Sequence, residues 1–551
     1  MDQPATVHTE LRTIPISYRK APAYILAVTR REARVLPPLL HSNLTASPAM
    51  AASCGPSHGS FCLLVLLAAS AATLGAAGSS SHVQLSAESL LPAAESSCSK
   101  PQEQQHGAGT GTRMPVVHQH GPCSPLAGKR GKAAPSHTEI LAADQRRVEY
   151  IHRRVSETTG RARPKRASAP PVHLRPGSPS SSAATPSLFH ATPSANLPAS
   201  SGEALDTGNY VVTIGLGTPA SHQTVVFDTG SDTTWVQCQP CVAHCYRQKE
   251  TLFSPAKSST YANISCSSTD CADLDISGCD GANCLYAVQY GDGSYTIGFY
   301  ARDTLTLAAH APAVEAFRFG CGEKNRGLFG RAAGLMGLGR GKSSLTVQAY
   351  SKYGGVFSYC LPAAASGTTG FLDLGPGAAA ANARLTPMLT ANGPTFYYVG
   401  MTGIKVDGHV LPIPESVFSG AGALVDSGTV ITRLPPSAYA PLRSAFAKAM
   451  DALGYKKAPA FSILDTCYDL TGNQGGSVAL PPVSLVFQGG ACLDVDTSGI
   501  LYVADVSQAC LAFAPNDDDT EVAIVGNTQQ KTYAVLYDLG KKVVGFAPGA
   551  C

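Results

Sequence analysis

A chain of 551 residues is too long for one ordinary core, and at 44% hydrophobic it can build at least two. The class is globular, with room for tails. Charge is unevenly spread: residues 98–200 hold 14 Lys/Arg against 5 Asp/Glu, whereas residues 201–551 hold 21 against 28. A basic segment precedes an acidic body, and the body's net negative sign opposes nonspecific binding to nucleic acid.

In chain order, residues 1–49 read as an upstream extension. The run "FCLLVLLAASAATLGAA", Phe61 to Ala77, has about 14 strongly apolar residues, short of the roughly 20 that a membrane span needs. A cleaved signal peptide over 50–77, translated from Met50, is therefore expected, with no stable membrane anchor. The alternative is that 1–49, with six basic and three acidic residues, belongs to an organelle-targeting peptide.

Residues 78–200 read as a basic pro-segment and linker. Within them "SHTEILAADQRRVEYIHRRVSE" offers Ser136 as N-cap and Glu139 three residues on, the capping-box pattern. Ile140, Leu141, Val148, Ile151 and Val155 follow at near-helical spacing, which predicts one helix. From Ala162 to Ser201 the chain is rich in Pro, Ser and Ala, the composition of an extended linker open to proteases. Two readings of the basic charge stand side by side: solvation, or electrostatic docking onto the acidic body.

From "TGNYVVTIGLGTP" onward, short Val/Ile/Tyr/Thr runs alternate with Gly, Pro, Asn and Asp, the texture of an all-β body. One clear helix interrupts it between Pro436 and Leu453, where Tyr439, Leu442, Phe446, Met450 and Leu453 share a face. Thirteen of the 17 cysteines lie between Cys238 and Cys551, a density that points to disulfides and an oxidising compartment. "CQPCVAHC" has thiol spacing that could hold zinc, but no second ligand pair follows at a finger-like distance, so no metal is expected.

The body repeats one motif. "VVFDTGSDTTWV" around Asp228 is matched by "ALVDSGTVITRL" around Asp426, and each is followed by an apolar stretch ending at glycine, "GLMGLG" at 334–339 and "AIVGN" at 523–527. A lone Asp-Thr-Gly is common in turns. Two such elements 198 residues apart, each with its companion strand, are far more specific. Peptide hydrolysis without metal or nucleophilic side chain needs one group to take a proton from water and another to give one to the carbonyl oxygen. Two carboxylates sharing a proton supply both. At about 3 Å and an effective dielectric near 20 their repulsion is roughly 5 kcal/mol, or about four pKa units, so they titrate as a unit and work in acid. Gly230 and Gly428 allow tight loops, and Ser231 and Thr429 are placed to hold the outer carboxylate oxygens.

These residues resemble the pepsin-like aspartic endopeptidases, specifically their plant, nepenthesin-like branch, over about residues 209–551. The resemblance implies a bilobal fold of two pseudo-symmetric β-rich lobes, 201–390 and 391–551, with the active-site cleft between them. It places Asp228 and Asp426 on the catalytic positions, flanked by Thr229, Gly230, Ser231 and by Ser427, Gly428, Thr429. "VQYGDGSYTIGFYARDTLTL" resembles the flap, with Tyr290 and Gly291 over the substrate and Trp235 hydrogen-bonded to Tyr290. The insert 238–284, with seven cysteines, is similar to that of the branch. By that likeness the pairs are Cys238–Cys241, Cys245–Cys321, Cys266–Cys284, Cys271–Cys279, Cys360–Cys551 and Cys467–Cys510, with Cys492 left over. Asn263 in "NIS" is the acceptor sequon of the mature region.

The implied function is an acid endopeptidase that takes protein or peptide substrates, needs no cofactor, acts as a monomer and is made as a zymogen whose pro-segment is an intramolecular inhibitor. Secretion to the apoplast is expected, with vacuole or plastid as alternatives. Two rival functions stand beside it: an inhibitor or binding protein on the same fold, and a plastid protease that binds DNA, for which only the basic pro-segment has the right charge.

Overall fold

The computed structural model describes residues 82–86, 112–118, 124–125, 136–159 and 210–551, apart from 309–310, 328, 364–368, 379–380, 391, 421 and 474–476. The expected extension, signal peptide and linker lie outside the described residues. Two β-rich lobes carry one aspartate motif each, and their inner sheets are built alike. In the first lobe the strand Ser221–Asp228 runs parallel to Gly334–Gly337, with Gly337 beside Asp228. In the second, Ala423–Val425 runs parallel to Ala523–Val525, with Val525 beside Val425.

The likeness continues past each aspartate. Trp235–Gln237 pairs parallel with Val314–Arg326 and antiparallel with Gly334–Gly337. Thr432–Leu434 likewise pairs parallel with Phe513–Pro515 and antiparallel at Ile524. Parallel strands buried on both faces read as continuous apolar runs, which is why "VVF", "GLMG", "ALV" and "AIV" lack alternation.

Beneath the cleft the two lobes share a sheet. Gly370–Leu374, Val356–Cys360, Ala534–Asp538, Val543–Ala547 and Arg384–Leu389 pair antiparallel in that order. Thr112–His118 adds an edge to Gly370–Leu374 and also pairs with Tyr210–Leu216, and Val83–Ser86 pairs with Ser477–Leu480 in the second lobe. Phe357 and Tyr537 stack at 4.6 Å between ring centroids, so the core is continuous from lobe to lobe. The helix Pro436–Ala452 buries Tyr439, Leu442, Phe446 and Met450 into the second lobe.

The upstream helix is His137–Thr159. The Ser136 amide donates to Glu139 Oε2 at 2.8 Å and the Glu139 amide donates back to Ser136 Oγ at 3.3 Å, the reciprocal capping box. Ile140, Leu141, Val148, Ile151 and Val155 are all buried, every one against the second lobe. Each such side chain taken from water contributes about 1.5–3 kcal/mol.

The cysteine pairing corrects four of the six expected bonds. Cys360–Cys551 and Cys467–Cys510 are bonded, but the structure joins Cys238 to Cys321, Cys241 to Cys245, Cys266 to Cys279 and Cys271 to Cys284. Cys238–Cys241 and Cys245–Cys321 fail because Cys238 directly follows the strand Trp235–Gln237, whose Val236 lies beside Cys321, and the Cys238 amide donates to the Gly322 carbonyl. Cys245 is then left to close the short loop with Cys241. Cys266–Cys284 and Cys271–Cys279 fail because burial sorts the sulfurs. Cys271 and Cys284 are interior, packed with Trp235, Tyr286 and Tyr300, while Cys279 is exposed and Cys266 half-buried. Cys492 lies outside the six bonds, and its thiol donates to Asp494. Non-reducing digestion and mass spectrometry are expected to recover peptides joining Cys238 to Cys321 and Cys271 to Cys284. A Cys245–Cys321 linkage would contradict the strand register.

Candidate active site

Asp228 closes its strand and Asp426 follows Val425 directly, so each carboxylate leaves the end of a buried strand at the meeting of the lobes; both are 1% exposed. The Gly230 amide donates to Asp228 Oδ1 at 2.9 Å and Ser231 Oγ to Asp228 Oδ2 at 2.8 Å. In the second lobe the Gly428 amide donates to Asp426 Oδ1 at 3.2 Å and Thr429 Oγ1 to Asp426 Oδ2 at 2.6 Å. Each carboxylate is thus gripped by the same pair of donors. The loops also hold each other: the Thr229 amide donates to Ser427 Oγ at 3.1 Å, and the Ser427 amide to Thr229 Oγ1 at 2.9 Å.

Glycine is required at two of these positions. A Cβ on Gly230 would stand 2.7 Å from Asp426 Oδ1, and one on Gly428 would collide with Asp228 Oδ1. Neither clash can be relieved without parting the carboxylates.

Between them sits Arg147 of the upstream helix. Its Nη2 donates to Asp228 Oδ1 at 2.7 Å and to Asp426 Oδ2 at 2.9 Å, and its Nε reaches Asp426 Oδ2 at 3.2 Å. Burial pushes the Asp228 carboxyl above the usual carboxylate range, Arg147 pulls the other way, and the Asp426 charge adds to the rise. Burial also opposes the Asp426 charge, but Arg147, the Thr429 hydroxyl and the Gly428 amide outweigh it and hold that carboxyl low. The signs differ accordingly. Asp426 contributes stability above its unfolded value of 3.8, lost as pH falls through its lower folded value. Ionised Asp228 costs stability, regained as pH falls through a value above 3.8. Descending pH therefore removes the negative charge facing Arg147 in two steps of the pair, with Asp228 held on the high side and Asp426 on the low side of the ordinary carboxylate range.

The helix makes further charged contacts. Arg146 Nε donates to the Asp292 carbonyl at 3.1 Å, and Arg154 meets Asp275 of the cysteine-rich insert at 2.8 Å. Asp144 points at the second lobe, where it accepts from Arg433 Nη2 at 2.8 Å and from the Val430 and Ile431 amides at 2.7 and 3.3 Å. His152, also buried, contacts Glu521 at 3.1 Å. Breaking a buried ion pair by removing one partner costs about 3–5 kcal/mol, so the Asp144–Arg433 pair weighs heavily in holding the helix.

The hairpin of Asn283–Gln289 and Tyr295–Thr306 overhangs the helix, and Gly291 at its tip packs directly on Tyr150 and Arg147. Trp235 Nε1 donates to the Tyr290 hydroxyl at 2.8 Å, and both rings lie edge-on to Phe329. Burial pushes the Tyr290 phenol well above its ordinary value, so it stays protonated. Beside the helix remains a cavity of about 550 Å³ whose walls include Ser231, Tyr290, Lys342 and Phe396. Asn263 is exposed on the outer surface and accepts from the Tyr261 hydroxyl. Among the described residues no helix is long and apolar enough to cross a membrane.

The repeated motif signals the two aspartates and the donors that grip them. Not signalled by the motif were Arg147, Asp144 and Arg433, and also Asp232, a half-buried carboxylate that accepts from the Gly341 amide and from Thr395 Oγ1. The one signal for Arg147 was the doubled arginine in "DQRRVEYIHRR" on a predicted helix.

Two lobes of like build, each presenting an Asp-Ser/Thr-Gly-Ser/Thr loop to a shared cleft, define the pepsin-like class. Family models agree: residues 210–376 match the model described as xylanase inhibitor N-terminal, and 396–548 the one described as xylanase inhibitor C-terminal. An aspartyl protease family protein of Arabidopsis thaliana is 45% identical over 470 residues, 84% of this chain and 92% of the relative. Aspartyl protease AED1 from the same plant is 42% identical over 80% of this chain and 87% of its own length. Nepenthesin-2 of Nepenthes gracilis is 35% identical over 62% of this chain and 78% of its own. Among solved structures, edgp superposes with a TM-score of 0.51 at 20% identity, covering 62% of this chain and 92% of edgp. Basic 7S globulin from soybean gives 0.50 at 22%, covering 62% and 94%. The chain belongs to the plant aspartyl protease family.

Replacing Tyr290 with Phe leaves the indole N–H of Trp235 without its acceptor inside an apolar cluster. Denaturant unfolding, followed by the fluorescence of this sole tryptophan, is expected to lose about 1–3 kcal/mol. No loss would mean that the Trp235–Tyr290 bond carries no weight.

Proposed function

We propose that the protein is an aspartic endopeptidase, made as a zymogen, that hydrolyses peptide bonds in proteins at acid pH. The observation that carries the reading is the symmetric grip on Asp228 and Asp426, which share one cation across the lobe boundary. Once Arg147 leaves, two carboxylates so close cannot both stay ionised near neutral pH. The ionised one takes a proton from a water held between them, and that water attacks the scissile carbonyl. The protonated one gives its proton to the carbonyl oxygen. Tyr290 and Gly291, above the cleft, close over the bound chain and exclude bulk water.

The helix supports a zymogen. A peptide bound as a helix cannot lay its backbone along the cleft in the extended form that cleavage needs, and its guanidinium holds the site where water must stand. Residues 78–200 are then the pro-segment, and loss of carboxylate charge in acid loosens it. The disulfides suit an oxidising, secreted setting. The inhibitor reading draws on the descriptions of the two family models, but a pure binding protein has no use for both gripped carboxylates. Acid-treated full-length protein is expected to cleave an unfolded protein between about pH 3 and 6. Asp228→Asn or Asp426→Asn should lower kcat/KM by about 10²- to 10⁴-fold. A wild type silent throughout that range would overturn the reading.

A further inference from the structure

Arg433 is among the largest fully buried side chains, at 1% exposure, on the strand that follows the Asp426 loop. Its ionic partner among the described residues is Asp144, and its Nη1 donates to Gln145 Oε1 at 3.1 Å; both belong to the upstream helix. Its Nε has no acceptor among the described residues. The Asp144 carboxylate also takes the Val430 and Ile431 amides, so three donors from residues 430–433 converge on one anion.

That cradle is rigid. The Thr432 amide and hydroxyl both bond Gln529 Oε1, at 3.2 and 2.6 Å, and the strand is paired to Phe513–Pro515 on one side and to Ile524 on the other. Release of the helix removes Asp144, the anion the cradle holds among the described residues, and opens the guanidinium and two amides to the cleft, four to seven residues beyond Asp426. A desolvated cation with aligned amides beside it binds a carboxylate strongly and rejects its neutral isostere.

We infer that Arg433, with the Val430 and Ile431 amides, forms a substrate subsite for an aspartate or glutamate side chain near the scissile bond, for which Asp144 stands in while the helix is bound. This rests on the proteolytic reading and adds a substrate class to it. Asp144 lies one helical turn from Arg147, about 4.5 Å along the axis, which is between one and two residues of extended chain at about 3.3 Å each. The acidic residue therefore falls within a few positions of the bond that is cut.

The test uses acid-activated full-length protein and a peptide series in which a single Asp is moved through four positions on each side of the cleavage point. Each peptide is matched to its Asn counterpart at about pH 5, where a peptide aspartate is ionised. At one position kcat/KM for Asp is expected to exceed that for Asn by about tenfold or more, and cysteic acid, a permanent anion, should keep the advantage. In Arg433→Gln the ratio at that position should fall to about one. The wild-type series stands by itself if the variant does not fold. A ratio near one at every position, or one that Arg433→Gln leaves intact, overturns the subsite alone. Failure to cut any peptide overturns the proteolytic reading and the subsite with it.

Discussion

Two buried carboxylates facing each other are the constraint around which the molecule is arranged. Each needs donors on its outer oxygens, which Gly230 with Ser231 and Gly428 with Thr429 provide. Each needs backbone close enough to meet its partner, which only glycine permits at 230 and 428. Both need lobes that cannot drift apart, which the Thr229–Ser427 exchange and the shared sheet beneath secure. Loops alone would not hold that geometry; strands buried on both faces do.

The upstream helix answers this arrangement with charges of both signs. Arg147 enters the anionic pair while Asp144, on the adjacent turn, enters the cationic cradle at Arg433. Apolar residues at helical spacing lay the same helix on the second lobe, and Arg146 and Arg154 tie it to the first. Burial of five aliphatic side chains does not change with pH, so sensitivity to acid must come from the charges. Because Asp228 is held high and Asp426 low, the negative charge facing Arg147 is lost in two steps of the pair. On the zymogen reading, release of the helix is expected over a range of pH rather than at a point.

Much of this was legible in the sequence because it is written locally and twice. The Asp motif with its companion strand repeats, and repetition removes the ambiguity of a single Asp-Thr-Gly. The helix was legible through Ser136, Glu139 and five spaced aliphatic residues, all of them short-range signals. Cysteine pairing was not, because Cys238 meets Cys321 through a parallel strand register and Cys271 meets Cys284 through shared burial, neither of which spacing records. Arg433 stayed hidden for a related reason: its partner is 289 positions away, and an arginine in a short strand next to a turn looks like any surface charge. Likeness to a family supplied the Trp235–Tyr290 hydrogen bond but carried over four disulfides wrongly.

The most direct measurement of the account is hydrogen exchange along residues 137–159 of the full-length protein as pH is lowered from about 7 to 3, in the wild type and in Arg147→Met. Protection of the helix at neutral pH, lost in acid as the carboxylates take up protons and already weakened at neutral pH in the variant, is the predicted result. A helix unprotected at pH 7, or one whose protection ignores both acid and the loss of Arg147, would contradict a cleft closed by a single shared cation.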